Sequence, residues 1–599
     1  MIDYQISIKS APAHIFEISC HVSAPAAAGQ RFSLPVWTPG SYLIREFSKH
    51  VLSVRAEAGG RALTVKKIDK HTWQCAASAE PITFVYEIYA FDLSVRGAYL
   101  DTTRAFFNGA SVLVWPHGRE REPCSLQIAA PESSAAQTWR VATSMALDSG
   151  EERGFGRYRA ADYDELIDHP VEISDFVLCS FTVRDIPHQV AITGRQDADL
   201  ARLTSDLSRI CEEHIRLFGE APFSRYLFQL LIVADGYGGL EHRASTSLIA
   251  SRKTLPNKGD SEQSDDYRTL LGLFSHEYFH AWNVKRIKPA VFMPYNLSGE
   301  VYTDDLWLYE GITSYYDDLA LVRCGVIEPA AYLELLGQTV TRVLRGSGRH
   351  RQSVAESSFD AWIKFYRPDE NVPNALVSYY AKGSLIALAL DLTLRRETAG
   401  RSSLDDLMRV LWARFGKPAV GVPEGTLESL VIDLAGEAAA AFLHRAVFGR
   451  QDLPLDELLR DVAIAYQLRA AESSEDKGGK PAKSTRARCS FGARAEGKTD
   501  PKLVHVFDGG AAQRAGLAPG DQLLAIDGLR ISNGLDKTLL QYRAGQTLRV
   551  HAFRRDELIE TELLLQEAPL DTCYLLFDTD ASPAALQRRA EWLSNAGEK

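Results

Sequence analysis

Residues 265–286 are DDYRTLLGLFSHEYFHAWNVKR, and the pentapeptide HEYFH within them decides how the rest of the chain is interpreted. We expect residues 265–286 to form a helix, and the apolar run LLGLF predicts that this helix is buried. On a helix, His276 and His280 share one face and lie about 6 Å apart along the axis. Both imidazoles can then bind one metal ion at about 2.0–2.1 Å, the usual zinc–nitrogen distance. Glu277 lies beside the first ligand, where it can act as the base for metal-activated water.

Two surface histidines on an amphipathic helix would give the same spacing, and the pentapeptide alone leaves that alternative open. The apolar run favours the metal site, because unpaired imidazoles are costly to bury. Catalytic zinc is held by three protein ligands, so a third must lie elsewhere. Residues 306–322, LWLYEGITSYYDDLALV, supply a candidate in Glu310, which interrupts an apolar stretch where a carboxylate needs a partner.

Glu310 has a second explanation, as an acidic residue favoured by the dipole at the start of a helix. The ligand interpretation is preferred because the histidine pair still lacks its third partner. Asp317 lies two turns further along the same face and could hydrogen-bond a ligating histidine. Asp318 beside it could serve instead, or both carboxylates could be solvated.

The two segments, HEYFHAWNVKRIKP and LWLYEGITSYY, resemble the gluzincin-type zinc metallopeptidases, whose third ligand is a glutamate. In the broader aminopeptidase group that glutamate stands in a W-x-x-E-G context, as Trp307, Glu310 and Gly311 do. The 29 residues from 281 to 309 make a longer interval than in the aminopeptidase N-like family. The interval and the WNVKR tail resemble the glycyl aminopeptidase family instead. That resemblance implies one zinc ion per chain and peptide substrates with a free N-terminus, with N-terminal Gly or Ala preferred.

A glycine-rich motif extends the resemblance. Residues 228–250, FQLLIVADGYGGLEHRASTSLIA, begin as a strand, and Gly238 and Gly239 let the backbone approach a ligand closely. In related aminopeptidases a glutamate in a similar G-x-x-E motif holds the substrate α-amino group, and Glu241 corresponds to it. A partly desolvated carboxylate suits a terminal cation. The alternative is a glycine-rich hairpin that carries an exposed acid.

A tyrosine is implied by the same resemblance in residues 374–395, NALVSYYAKGSLIALALDLTLR, which apolar periodicity predicts to be mostly buried helix. Tyr380, in Y-x-K-G, matches the tyrosine that stabilises the oxyanion in related enzymes. Its phenol would donate a hydrogen bond to the developing negative oxygen. Tyr379 is the rival for this role, and packing alone would also explain either ring.

Composition limits the classes of partner. The net charge is −11 over 599 residues, which disfavours a nucleic-acid partner. No segment approaches the ~20 apolar residues of a membrane span, and the charged N-terminus does not resemble a secretory signal. The eight cysteines include no C-x-x-C pair, so neither a thiolate metal site nor a disulfide framework is indicated. We therefore expect a cytoplasmic protein with no membrane partner, and the sequence leaves its oligomeric state open.

The predicted fold is multidomain α+β. Alternating short strands indicate an N-terminal β domain, whereas helical spacing dominates after residue 326. A polar, charged stretch before the last domain is typical of a linker. The predicted parts are an N-terminal β-rich domain at 1–168, a thermolysin-like zinc catalytic domain with a helical half at 169–469, a linker at 470–487, a PDZ domain at 488–568, and a C-terminal tail with a helix at 569–599.

The PDZ assignment depends on the run A-G-L-x-P-G-D-x-L-L-x-I-D-G, residues 515–528, which resembles PDZ domains of bacterial proteases. Such domains bind a peptide C-terminus or extended segment by adding a strand to a sheet edge. The carboxylate-binding loop is expected near Phe491 and Gly492. A PDZ fold that only packs against the catalytic domain is an equal alternative.

Three functions are compatible with these motifs. The leading one is a zinc aminopeptidase, in which Glu241 fixes the N-terminus so that only the first bond is within reach. The second is an endopeptidase with the same zinc chemistry and PDZ-assisted substrate capture. The third is a non-catalytic peptide-binding scaffold, which the intact metal-site residues disfavour.

Overall fold

The computed structural model describes residues 1–131, 137–260, 263–484, 486 and 488–594. The chain divides into two compact units. One contains Met1–Tyr302 with Arg409–Pro423, and the other contains Thr303–Met408 with Glu424–Lys599. Within the described ranges, no helix combines the length and the apolar composition that crossing a bilayer requires.

The first unit opens with a β-rich region whose strands alternate buried and more exposed residues, as one-sided sheets require. Strands β1 and β2 form an antiparallel hairpin, and the sheet runs in the order β14-β15-β12-β1-β2-β8-β4-β5. Smaller sheets, β13-β16-β10-β9 and β11-β3-β7-β6, complete the region. The bounds are β1 Ile2–Ser10, β2 Ile15–Val22, β3 Arg31–Ser33, β4 Val51–Ala58, β5 Arg61–Leu63, β6 Val65–Lys67, β7 Thr72–Cys75, β8 Ile82–Tyr89, β9 Ala98–Leu100, β10 Arg104–Phe107, α1 Gly109–Val112, β11 Trp115–Pro116, β12 Cys124–Ile128, β13 Arg140–Ala142, β14 Ala146–Gly150, β15 Gly156–Ala160, α2 Tyr163–Ile167 and β16 Val171–Ser174.

A mixed sheet follows in the same unit, in the order β17-β18-β19-β21-β20. The parallel pairing of β18 with β19 requires a crossover, which α3 provides. The Ser264 side chain caps α4 by accepting from the Tyr267 amide, and α4 packs against β20 and β21. The bounds are β17 Val177–Val183, β18 Ile186–Thr193, α3 Leu200–Phe218, β19 Tyr226–Val233, β20 Tyr237–Glu241, β21 Ser245–Ser251 and α4 Asp265–Phe279.

The helix that carries the two histidines is shorter than its sequence indicates. It ends at Phe279, with His280 as its C-cap, and residues 281–286 continue as turns that are interrupted by an isolated β-bridge between Asn283 and Ile287. Val284 has φ = 91°, which a helix does not allow. The turn amides of Lys285 and Arg286 donate to the carbonyls of His280 and Trp282 instead.

Helices make up most of the second unit, around the almost entirely buried α9. Helix α9 packs against α5, α6, α12 and a π-helical turn at Trp307–Gly311. A Cβ added at Gly311 would lie 2.6 Å from the Gly383 Cα, so the two glycines let α9 and the π-helical turn approach closely. The bounds are α5 Ile312–Arg323, α6 Pro329–Leu344, α7 Val354–Phe359, α8 Val372–Ala375, α9 Ala381–Glu397, α10 Leu404–Leu411, α11 Thr426–Ala435, α12 Glu437–Phe448, α13 Leu455–Arg460 and β22 Ile464–Arg469.

The second unit ends with a small β region that has its own apolar core, formed by residues such as Phe491, Leu523 and Val550. Its sheet runs β24-β25-β26-β28-β29, so β24 lies at an edge. Strand β31 pairs with β22. The bounds are β23 Cys489–Ser490, β24 Ala493–Glu496, β25 Lys502–Val506, α14 Ala511–Arg514, β26 Gln522–Ile526, β27 Leu529–Arg530, α15 Leu535–Leu539, β28 Thr547–Arg554, β29 Glu557–Leu564, β30 Gln566–Glu567, β31 Thr572–Phe577 and α16 Pro583–Leu593.

The α+β class, the β-rich N-terminal region and the mostly helical later part are thus confirmed.

Candidate metal centre and active site

The paired histidines at the end of α4 are arranged to share a ligand. Their ring centroids lie 4.7 Å apart with planes at 84°, and their Nε2 atoms are 3.1 Å apart. His280 Nδ1 lies 2.8 Å from the Asn283 carbonyl oxygen, which can only accept a hydrogen bond. Nδ1 therefore carries the proton and Nε2 presents a lone pair, the state that metal binding requires.

The sequence-predicted ligand set is brought together. His276, His280 and Glu310 each offer one ligand atom, and these atoms all lie within 4.8 Å of one another. Two imidazole nitrogens and one carboxylate oxygen make up a donor set found in catalytic zinc sites that keep a fourth position for water or substrate. The residues present therefore fit a zinc ion.

Glu277 is 5% exposed and lies against strand β20. A side chain at Gly239 would overlap the Glu277 carboxylate, so only glycine allows the strand to pass so close to it. The Gly239 carbonyl accepts a hydrogen bond of 3.0 Å from Arg96 Nη2, which holds the strand in place. A Cβ added at Gly238, the preceding residue, would lie 3.8 Å from its nearest neighbours, which is an ordinary contact distance.

Glu241, the last residue of β20, is buried. Its carboxylate lies against Gly40, where any Cβ would overlap it and where φ is 95°. Gly40 closes the Trp-Thr-Pro-Gly turn at residues 37–40 of the β-rich region, and no sequence motif links this turn with Glu241. Pro39 and Gly40 indicate a turn in the sequence, but their spacing does not show that the turn contacts Glu241.

His242, the residue after Glu241, is held in place by a buried ionic network around Asp168. Asp168 Oδ1 lies 2.6 Å from Lys285 Nζ and 3.2 Å from His242 Nδ1, and Asp168 Oδ2 accepts from the Arg243 amide at 3.0 Å. Burial alone would raise the pKa of Asp168, but Lys285, His242 and Arg243 together hold it well below its usual value. The turn that follows β20 is therefore held by a charged carboxylate.

In the second unit, Glu310 lies in the π-helical turn and Tyr380 immediately precedes α9. Burial, and then the charge of Glu310, raise the pKa of Tyr380 well above its usual value, so the phenol keeps its proton as a hydrogen-bond donor. The Tyr380 hydroxyl lies 3.1 Å from that of Tyr366, a neighbour that no sequence motif had indicated.

Tyr379 occupies a different environment from Tyr380. Its side chain is completely buried, and its ring packs 4.8 Å from Phe365 and 4.7 Å from Tyr380. These contacts are those of a packing residue, whereas Tyr380 is only partly covered.

Asp317 lies on α5, partly exposed, and accepts a hydrogen bond of 2.6 Å from the Asp318 amide. Its role beside a ligating histidine stays a prediction.

Comparison with known proteins gives two family matches. Residues 3–175 match the peptidase M61 N-terminal domain, and residues 269–386 match the M61 glycyl aminopeptidase model. A search of curated proteins found no match. The resemblance to the glycyl aminopeptidases is thus confirmed for these two segments.

Among solved structures, an aminopeptidase N family protein from Idiomarina loihiensis is 42% identical, with 99% of this chain and 100% of that chain covered and a TM-score of 0.95. An M1 zinc metallopeptidase from Deinococcus radiodurans is 13% identical over 76% of this chain and 94% of that one, with a TM-score of 0.48. Yeast LTA4 hydrolase is 12% identical over 77% of this chain and 70% of that one, with a TM-score of 0.47. The chain therefore belongs to the aminopeptidase N family of the Idiomarina protein, and its two matched segments carry the domains of the M61 peptidases.

Proposed function

We propose that the protein is a zinc-dependent aminopeptidase that removes N-terminal residues from peptides. The observation that carries the proposal is the convergence of ligand atoms from His276, His280 and Glu310 within 4.8 Å, with Glu277 on the same helix turn as the histidines. A bound zinc ion supplies a Lewis acid and lowers the pKa of water toward about 7.

Glu277 is the proposed base and acid. Its carboxylate accepts the proton of the attacking water and then delivers it to the leaving amine. The close packing of Gly239 restricts the carboxylate to a small volume, which favours a productive orientation.

Glu241 is the proposed anchor for the substrate α-ammonium group. The carboxylate is buried, where a charge-assisted hydrogen bond to a cation is stronger than in water. The Gly40 turn on one side and the Asp168 network behind His242 fix the position of this residue. Anchoring the terminus restricts attack to the first peptide bond. The preference for N-terminal Gly or Ala is proposed from the resemblance to the glycyl aminopeptidases.

The anchor can be tested with a blocked terminus. An alanyl peptide should be cleaved, and its N-acetyl form should resist cleavage, because acetylation removes the cation that Glu241 binds. Glu241→Gln should lower kcat/KM for the free peptide by about 10- to 100-fold, the value of a charged hydrogen bond. Matched cleavage of both peptides by the wild-type protein would instead identify an endopeptidase. Peptide binding without any cleavage would identify a scaffold.

Tyr380 is the proposed oxyanion donor. Tyr380→Phe should lower kcat by about 100- to 1,000-fold with little change in KM, because the donor acts on charge that develops in the transition state. Tyr379→Phe is the matched control, since it removes the neighbouring phenol hydroxyl and keeps the ring that packs against Phe365, and it should retain near-normal kcat. Equal losses in the two variants would remove the proposed role of Tyr380.

We propose further that residues 488–568 form a PDZ domain that binds an extended peptide. Strand β24 is the edge of its sheet, and a cavity of about 1080 Å³ adjoins it. Phe491 and Gly492, as well as Leu535 and Leu539 of α15, line that cavity. An added strand would pair with the open edge of β24 and place alternate side chains against α15.

A further inference from the structure

A basic pocket lies in the first unit, and none of the proposed metal ligands, the base or the substrate anchor lines it. Its volume is about 560 Å³. The WNVKRIKP segment contributes Lys285, Arg286 and Lys288 to its lining. The protein as a whole carries a net charge of −11. The charged residues that line the pocket are Arg243, Lys285, Arg286, Lys288, Lys417 and Glu220.

Only some of these cations have a carboxylate partner. Lys285 and Arg243 share Asp168, at 2.6 and 3.4 Å, and exposed Lys417 pairs with Glu220 at 2.6 Å. In the part of the chain that the structure describes, no carboxylate lies within ion-pair distance of Arg286 or Lys288.

The Arg286 guanidinium donates hydrogen bonds to backbone carbonyls. Its Nη1 donates to the Arg243 and Ala281 carbonyls at 3.0 and 2.7 Å, and its Nη2 donates to the Pro222 carbonyl at 2.7 Å. The guanidinium keeps its positive charge after making these bonds. It therefore adds to the positive potential of the pocket.

Lys288 places a buried amine in the lining of the pocket. Its side chain is buried at 6% exposure, and Nζ donates to the Tyr295 hydroxyl at 3.2 Å and lies 4.7 Å from that ring. Burial, followed by the charges of Lys285 and Arg243, lowers its pKa to about 7. Asp168 and Asp164 oppose this effect without reversing it. A buried ammonium with donors to spare is costly unless an anion joins it.

We propose that this pocket binds a tetrahedral oxyanion, either inorganic phosphate or a phosphate group carried on a small molecule. Lys288 would donate to the anion, and Arg286 would supply the nearest positive charge that no carboxylate balances in the described part of the chain. Lys285, Arg243 and Lys417 also line the pocket, but each of them shares its charge with Asp168 or Glu220. The volume exceeds what a bare ion fills, which leaves room for the organic part of a phosphate ester. The pocket contains none of the proposed metal ligands, base, oxyanion donor or substrate anchor, although Lys285 and Arg243 also belong to the Asp168 network beside Glu241.

Binding can be measured by calorimetry on the full-length, zinc-loaded protein in low-chloride buffer. Inorganic phosphate and sulfate should bind saturably with Kd at or below about 1 mM. Glycerol 3-phosphate serves as the ester probe: tighter binding than phosphate indicates an esterified ligand, and equal binding indicates the free ion. Saturating phosphate should also raise Tm. No saturable binding of any of the three probes would overturn the proposal.

Lys288→Met separates a ligand role from a structural one. Replacing a buried cation with an apolar side chain is often neutral or stabilising. Tm without phosphate should therefore be retained or rise, while sulfate binding weakens at least 10-fold and the phosphate-induced rise in Tm disappears. Lys253→Met is the matched control, because Lys253 is 68% exposed, pairs with Asp266 and lies outside the pocket. Sulfate binding by Lys288→Met equal to that of the wild type would overturn the proposal.

Two further measurements keep the test decisive if Lys288→Met does not fold. Lys417→Glu reverses a charge at the exposed rim and should weaken sulfate binding several-fold; unchanged binding would contradict the site. Sulfate stays doubly charged in neutral and mildly alkaline buffer, so its affinity for the wild type should fall as pH rises past about 7, where Lys288 loses its proton. A sulfate affinity that does not change with pH would contradict a role for Lys288.

Discussion

Glu277→Gln is expected to abolish turnover of glycine and alanine anilides while the protein keeps its metal. The amide has the size of the carboxylate and fits beside Gly239, so the fold and the histidine pair should be undisturbed. An amide cannot accept the proton of the attacking water, and general-base catalysis typically contributes about 100- to 10,000-fold. The loss should appear in kcat and kcat/KM together.

The matched control for this change is Glu212→Gln, which alters a half-exposed acid of α3 that pairs with Arg184. Its turnover should equal that of the wild type. Zinc content should be the same in both variants, because Glu277 is not a ligand in the proposed site. Unchanged turnover in Glu277→Gln would remove the proposed base.

Glu310→Gln is expected to cause the second large loss, through the metal rather than the proton transfer. Removing a partner that only orients a ligand costs about 10- to 100-fold in metal affinity, and removing a ligand should cost more. Zinc content after dialysis should therefore fall sharply, and anilide turnover should fall with it. Added zinc should restore part of the activity, because the histidine pair remains.

Asp317→Asn and Asp318→Asn, on the helix that follows Glu310, are the natural comparisons. If Asp317 orients a ligating histidine as predicted, its replacement should lower zinc affinity by about 10- to 100-fold, and Asp318→Asn should leave it unchanged. Full zinc retention in Glu310→Gln would contradict the ligand assignment.

Local spacing predicted the parts of the site that a single helix turn fixes. His276, Glu277 and His280 follow from helix periodicity, and the apolar context of Glu310 marked it as a buried acid in need of a partner. The end of α4 at Phe279 did not follow, because it depends on the positive φ of Val284.

Contacts between distant segments were the parts that the sequence did not reveal. Gly40 was visible as a turn residue, but its contact with Glu241 joins positions about 200 residues apart. Asp168 and Lys285 were not connected with His242, because each alone resembles a surface charge. Tyr366 carries no motif and is recognisable only from its hydroxyl contact with Tyr380.

Metal analysis of the purified wild-type protein tests the central claim most directly. Elemental analysis after dialysis against metal-free buffer should find one zinc ion per chain, and chelation should remove that zinc and the aminopeptidase activity together. Restoring one equivalent should restore turnover. A folded, metal-free protein that still cleaves alanine anilide at the wild-type rate would contradict the account.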